Sequence, residues 1–267
     1  MDKLVLYLRY ISISLKTSME YKYSFITHLF IQIFTYSTNY LGIWVLLKKF
    51  NTIHGWSYYE VVFLCSLNLL SYGICAVFIA DPMRSVGNMV ISGDFDSMLI
   101  RPLNPLYHLI AKNFTYGFMG HIALSLVVFG ICLNHLNISW SVANLIWIVL
   151  DLLGAILIQS AMFILGGSLS FWIMNSAQVV YSFTFGFRRF IDYPISIYNS
   201  FLRVILTFII PYAFVNFYPS IYFLNKSGDT VFHPILQYGT PIVGVIFIVV
   251  AYKIWTLGIK HYESSGS

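Results

Sequence analysis

Charge is what this chain has least of. Only 9% of its 267 residues are Asp, Glu, Lys or Arg, while 58% are hydrophobic and the mean hydropathy is +0.77. A water-soluble domain needs a charged coat over its apolar atoms, so a soluble fold is excluded and the bilayer must be the solvent. Cysteine is equally sparse: Cys65, Cys75 and Cys132 all fall in apolar stretches, without CxxC spacing, and read as small hydrophobes. Seven histidines are scattered with no HExxH or paired-His spacing, which leaves no metal site. A phosphate-cradling GxxxxGK[ST] loop is missing too, since Gly166-Gly167-Ser168 lacks the Lys, and no GxSxG nucleophile elbow occurs. The chain is therefore expected to bind no cofactor itself, and if ATP powers it, another chain holds the ATP and Mg. Internal repeats are missing, and the one low-complexity stretch is the tail Ser264-Ser265-Gly266-Ser267.

What is present is a series of apolar runs at bilayer length. About 20 apolar residues are needed for a helix to cross roughly 30 Å of hydrocarbon with all backbone groups bonded internally. Six runs qualify: Tyr23 to Leu47, Tyr58 to Ala80, Leu106 to Leu133, Val142 to Met174, Phe201 to Leu224 and Tyr238 to Leu257. The expected fold is an all-α integral membrane protein with six transmembrane helices in one domain, residues 1–267. No gap between the runs is large enough for a soluble catalytic fold.

The charges also orient the chain. With the N-terminus in the cytoplasm, Lys3, Arg9, Lys16, Lys22, Arg84, Arg101, Lys112, Arg188, Arg189, Arg203, Lys253 and Lys260 lie inside, and only Lys48, Lys49 and Lys226 outside. This is a positive-inside asymmetry, and it puts both termini in the cytoplasm of a cell whose inner membrane carries the protein. Topology and anionic lipid account for the net charge of +5, so no nucleic-acid partner is implied. Residues 1–22 carry Leu4, Leu8, Ile11 and Leu15 at helical spacing among four basic residues, which fits an amphipathic interface helix. They do not read as a cleaved signal peptide, because the apolar stretch that follows is too long.

Three interruptions carry more information than the runs. Residues 81–105 form the longest cytoplasmic gap, with Pro82 suited to the first turn of a short helix, Gly93-Asp94 as punctuation, and Arg101-Pro102 and Asn104-Pro105 forcing extended backbone. Phe95, Met98 and Leu99 give this gap an apolar face fit for another protein's groove; the bland alternative is a membrane-surface loop. Residues 175–200 read as an interfacial segment whose Arg188 and Arg189 face lipid phosphate or a soluble partner, with a separately inserted hairpin around residues 183–187 as the alternative. The fifth run holds Pro211 and Pro219 around Asn216, so two breaks are expected and a re-entrant helix over residues 209–224, against a simple kink.

Single polar residues are the remaining candidates. Asp151 lies deep within the fourth run, where a charge costs several kcal/mol in order of magnitude unless paired or wet. It is either on a translocation path or near the outer headgroups. Glu60 is read as solvated and His121 as a packing residue. So few intramembrane acids disfavour an ion-coupled carrier. A lipid-modifying membrane enzyme is the rival, and it would need clustered acids or histidines that this chain does not show; a scaffold is the other alternative. Aromatics at 18% exceed what two interfacial belts use, so some rings are available to line an amphipathic cavity.

The run Gly93-Asp94-Phe95-Asp96-Ser97-Met98-Leu99-Ile100-Arg101-Pro102-Leu103-Asn104-Pro105 and the later Ile209-Ile210-Pro211-Tyr212-Ala213-Phe214-Val215-Asn216-Phe217-Tyr218-Pro219 resemble a branch of the ABC-2 type permeases. These are membrane subunits of ATP-binding-cassette exporters. The resemblance covers most of the chain and implies a cytoplasmic coupling helix within residues 81–105. Phe95, Met98 and Leu99 would make the ATPase contact, Asp94, Asp96 and Arg101 would be its charged partners, and Pro102 and Pro105 its rigid exits. It further implies outer re-entrant helices at Pro211 and Pro219, and two permease chains, a second different one or a homodimer, over two copies of an ATPase. Asp151, Pro211, Asn216 and Pro219 would border the path of an amphipathic peptide, drug or lipid. On this reading, aspartate at Phe95 and Leu99 leaves the fold intact and uncouples the ATPase.

Overall fold

The computed structural model describes residues 5, 12, 13, 16, 22–112, 115–139, 141–173 and 177–262. The interface helix expected over residues 1–22 and the tail 264–267 lie almost entirely outside them. The described chain is helical, and its one β-bridge, Ile53 to Trp56, closes a turn. Five helices are long and apolar enough to cross a membrane, and a sixth candidate is a helix pair bent by 101°.

Helix α1 (Lys22–Phe50) ends on Lys48 and Lys49, whose charges suit the negative end of the helix dipole. The chain turns back through Gly55, at φ 82°, into α2 (Tyr58–Ser92). Ser57 and Glu60 form a capping box there, the Ser57 amide donating to Glu60 Oε2 at 2.7 Å. Glu60 also meets Lys226 Nζ at 3.3 Å, and Lys226 donates to the Gly55 carbonyl. Glu60 is thus half-buried in an ion pair, not simply solvated as the sequence suggested, because residues 224–239 fold back over the Trp56 turn.

Helix α2 is the axis of the bundle. In its apolar window 83% of residues are buried, against 6% in α1, so α2 packs on all sides while α1 stands at the periphery. The expectation of a break before Pro82 is overturned: α2 runs through that proline to Ser92. A proline costs about 3 kcal/mol inside a helix, and this one is held by neighbours. The Thr115 amide donates to the Val77 carbonyl (2.9 Å), its hydroxyl donates to Asp81 Oδ2 (2.6 Å), and Arg84 reaches Asp81 Oδ1. At roughly 1.5 Å per residue, 35 residues make α2 longer than one crossing of the hydrocarbon needs.

Beyond the one-turn α3 (Asp96–Leu99), the third expected span is split into α4 (Pro105–Lys112), a 3-10 turn at Tyr116–Phe118, and α5 (Met119–His135). Helix α6 (Val142–Ser168) continues as a 3-10 turn to Phe171, and α10 (Thr240–His261) packs along it. That pairing is backbone against backbone. A Cβ on Gly244 would stand 2.6 Å from the Gly154 carbonyl oxygen, and one on Gly154 would stand 2.6 Å from that of Thr240. Small residues let helices approach this closely where no hydrophobic effect drives them together.

Between α6 and α10 the path is irregular: α7 (Ala177–Tyr181), a π turn at Ser182–Gly186, a 3-10 turn at Phe187–Asp192, α8 (Ser200–Val204), a π turn at Ile205–Ile209 and α9 (Ala213–Phe223). The interfacial reading of residues 175–200 is corrected. Arg188 does not face lipid phosphate or a soluble partner: it is buried, packed on Tyr72 and Asn68 of α2. Of the two expected proline breaks, only Pro211 falls at one. Pro219 lies inside α9, whose burial against α2 and α6 outweighs the proline's cost.

Replacing Gly244 with Leu is expected to destabilise the protein by about 1–3 kcal/mol by separating α6 from α10. Thermal unfolding in detergent reads this as a lower midpoint. Gly130→Leu, with nothing within 4 Å of its Cβ position, should leave the midpoint unchanged.

Candidate functional site

Three places gather the polar and strained groups of the bundle. The first is the turn after α2. Gly93 closes the helix at φ 77°, a conformation glycine adopts without strain. Asp94 then accepts from the Ser92 hydroxyl (2.7 Å), and Phe95 turns inward. Its ring meets Phe171, Tyr262 and Trp255 edge-on at 5.1, 5.3 and 6.2 Å. This aromatic latch joins the turn to the last turns of α6 and α10. Phe95 and Met98, expected at an exposed docking face, are both buried. The exposed apolar tip is instead Leu99, Leu103 and above all Ile100, which is 85% exposed. Asp96 begins the one-turn helix, Arg101 lies 3.2 Å from His108, and the exposed Pro102 leads to Asn104, whose side chain caps α4 and donates to Tyr252. Aspartate at Phe95 would therefore be a core substitution, because it puts an ionised carboxylate among three rings.

The second place is the break before α9. Pro211 sits in it, buried, and the Thr240 hydroxyl donates to the Phe214 carbonyl (2.8 Å), which ties α9 to the start of α10. Asn216 is fully buried: its amide donates to the carbonyls of Leu64 (3.1 Å) and Ile191 (2.6 Å), fastening α9 to α2 and to the 3-10 turn. Asp151 and Pro219 line one crevice with Leu67, Val215 and Phe223. Asp151 is 3% exposed, and neither carboxylate oxygen has a hydrogen-bond partner among the described residues.

The third place was not legible as a site. Arg188 donates to the Tyr36 hydroxyl (3.0 Å) and reaches Asn68 Oδ1 at 3.5 Å, while its guanidinium lies 3.9 Å over the centre of the Tyr72 ring. Asn68 Nδ2 donates to Asp192 Oδ1 (2.9 Å), and Asn39 Nδ2 approaches Asp192 Oδ2 at 3.4 Å. One amide thus bridges a cation and a carboxylate that share no direct contact within 4 Å. Gln159 extends the network from α6 through Ser71 (2.7 Å) and the Asn68 carbonyl (3.2 Å). His121 stacks edge-on against Tyr36 at 4.3 Å, buried as a packing residue at the rim. Neighbouring Arg189 is exposed, so only one of the two arginines keeps the surface role expected of both.

Residues 33–266 match the family described as ABC-2 family transporter protein. The chain belongs to the ABC-2 transporter family. Searches of curated proteins and of solved structures give no match. As an ABC-2 family membrane protein it is multi-pass, and its family forms the membrane component of ABC transporters, typically without an ATPase site and in general associated with an ABC ATPase. The residues of the third place did leave a sequence signal. Asn68 in Leu67-Asn68-Leu69 and Gln159 in Ile158-Gln159-Ser160 are amides inside apolar runs, and such groups must find partners within the protein.

Replacing Asn68 with Leu removes the amide between Arg188 and Asp192. A loss of about 3 kcal/mol is expected, as for other broken buried polar networks. Folded yield and detergent thermostability measure it, and Leu69→Met is the matched control.

Proposed function

We propose that this chain is the permease subunit of an ATP-driven exporter that moves an amphipathic compound, a peptide, drug or lipid-like molecule, out of the cytoplasm or inner leaflet. Its Gly93 end faces the cytoplasm, as the distribution of basic residues supports once Arg188 is set aside as buried. Two copies of an ATPase bind ATP and Mg. A second permease chain, different from this one or identical to it, completes the pore.

The observation that carries this reading is the built lever at the Gly93 end. A bare apolar loop would dissipate a push. Here Ile100 and Leu99 project from a turn whose buried Phe95 is gripped by Phe171, Trp255 and Tyr262. Force applied at Ile100 is therefore delivered at once to α2, α6 and α10. Asp94, Asp96 and Arg101 flank the tip and supply charge complementarity to a groove on the ATPase, where complementary charge sets orientation more than affinity. Rigid-body shifts of packed helices, biased by ATP binding, are the form of motion such a lever drives.

Affinity purification from native membranes in mild detergent is expected to recover a Walker-motif ATPase with this chain. Ile100→Asp combined with Leu99→Asp should leave the folded yield intact and cut ATPase recovery at least ten-fold. Phe95→Asp should lower the folded yield itself. Undiminished ATPase recovery with charges at both 99 and 100 would remove the tip from the coupling role.

A further inference from the structure

The polar network around Arg188 is complete on one side and open on the other. Asp192 accepts from Asn39 and Asn68 through its carboxylate, and its carbonyl accepts from the Cys65 thiol at 2.8 Å. Arg188, only 4% exposed, keeps an Nε–H with no acceptor among the described residues. The Tyr40 hydroxyl is buried and likewise unpartnered. Both groups border one narrow crevice between α1, α2 and the 3-10 turn, with Tyr36, Asn39 and Asp192 on its polar side and Ile43 and Leu69 on its apolar side. A buried donor without an acceptor costs about 1–3 kcal/mol, and more when charged. Among the described residues no acceptor reaches either donor.

Tyr40 borders a second feature. An open apolar groove runs between α1 and α5 past Leu41, Trp44, Leu124 and Val128, and Tyr40 stands where it adjoins the crevice. A guanidinium is always charged and suits carboxylate or phosphate oxygens. We propose that crevice and groove form one binding site for an anionic amphiphile, its charged head accepting hydrogen bonds from Arg188 and Tyr40 and its chain lying against Leu41, Trp44 and Leu124. A cationic head is disfavoured because the carboxylate of Asp192 already holds two amides. The crevice must widen to admit a head group, and α1 is the wall able to yield, since its apolar window is almost wholly unburied. Calling this ligand a transport substrate rests on the exporter reading; its binding does not.

The test is equilibrium binding without ATP, on the protein purified with its bound partners into nanodiscs of neutral phosphatidylcholine. The probe is dodecyl phosphate brominated along its chain, which quenches tryptophan fluorescence on contact. Saturable quenching is expected, and it should fall away in Trp44→Phe. Arg188→Gln should weaken binding at least ten-fold, about 1.4 kcal/mol. Because Arg188→Gln disturbs a buried network, Tyr40→Phe provides the second variant; it removes a hydroxyl without a partner among the described residues and should weaken binding several-fold in a folded protein. Inorganic phosphate and dodecyltrimethylammonium should compete poorly. Equal competition by the cationic amphiphile, or wild-type affinity in both Arg188→Gln and Tyr40→Phe, overturns the site. No saturable quenching in the wild-type complex that retains its ATPase refutes the site alone, whereas binding by a wild-type chain that recovers no ATPase refutes the exporter reading alone.

Discussion

A bilayer offers no water to a polar group, so each one inside it must be satisfied by the protein, and the middle of this bundle is organised by that requirement. Asn68 of α2 meets it for two charged residues at once, accepting from Arg188 and donating to Asp192. Helix α6 joins through Gln159 and α1 through Tyr36 and Asn39. Three helices are thereby registered against an irregular segment that has little regular secondary structure of its own. The π turn and 3-10 turns of residues 182–192 are anchored inward by Thr184, Arg188 and Ile191, all buried.

Around that centre the structure divides by stiffness. Helices α6 and α10 touch through Gly154 and Gly244, and the latch of Phe95, Phe171, Trp255 and Tyr262 locks their ends to the end of α2. This half behaves as one block. Helix α1 is the opposite: Ile43 and Leu47 are buried, but most of its apolar surface is not. A stiff block bearing the exposed tip and a loosely held helix beside the polar crevice are the parts needed for one motion to open a site in response to the other.

The outer end shows how burial changes what a residue does. Asn216 and Pro219 stand out in the sequence as breaks in an apolar run. In the fold Asn216 staples α9 to two carbonyls, and Pro219 is absorbed into a helix packed on α2 and α6. Only Pro211 coincides with the 101° bend. Asp151 is enclosed by apolar side chains from α2, α6 and α9.

Composition and the lengths of the apolar runs by themselves determined the solvent, the helical class and most of the spans, because the bilayer imposes one thickness and one backbone solution on any chain. The Gly93 turn was legible for a related reason: a left-handed glycine and the following Pro102 and Pro105 constrain backbone locally. What only the tertiary structure decided was direction. Whether Phe95 points in or out, whether Pro82 ends a helix, and whether Arg188 meets lipid or Asn68 depend on neighbours distant in sequence. The polar network draws on residues 36, 39, 68, 159, 188 and 192, whose pairing no local stretch announces. Local sequence sets the cost of burying such groups, and only the packed bundle supplies the partners that offset it.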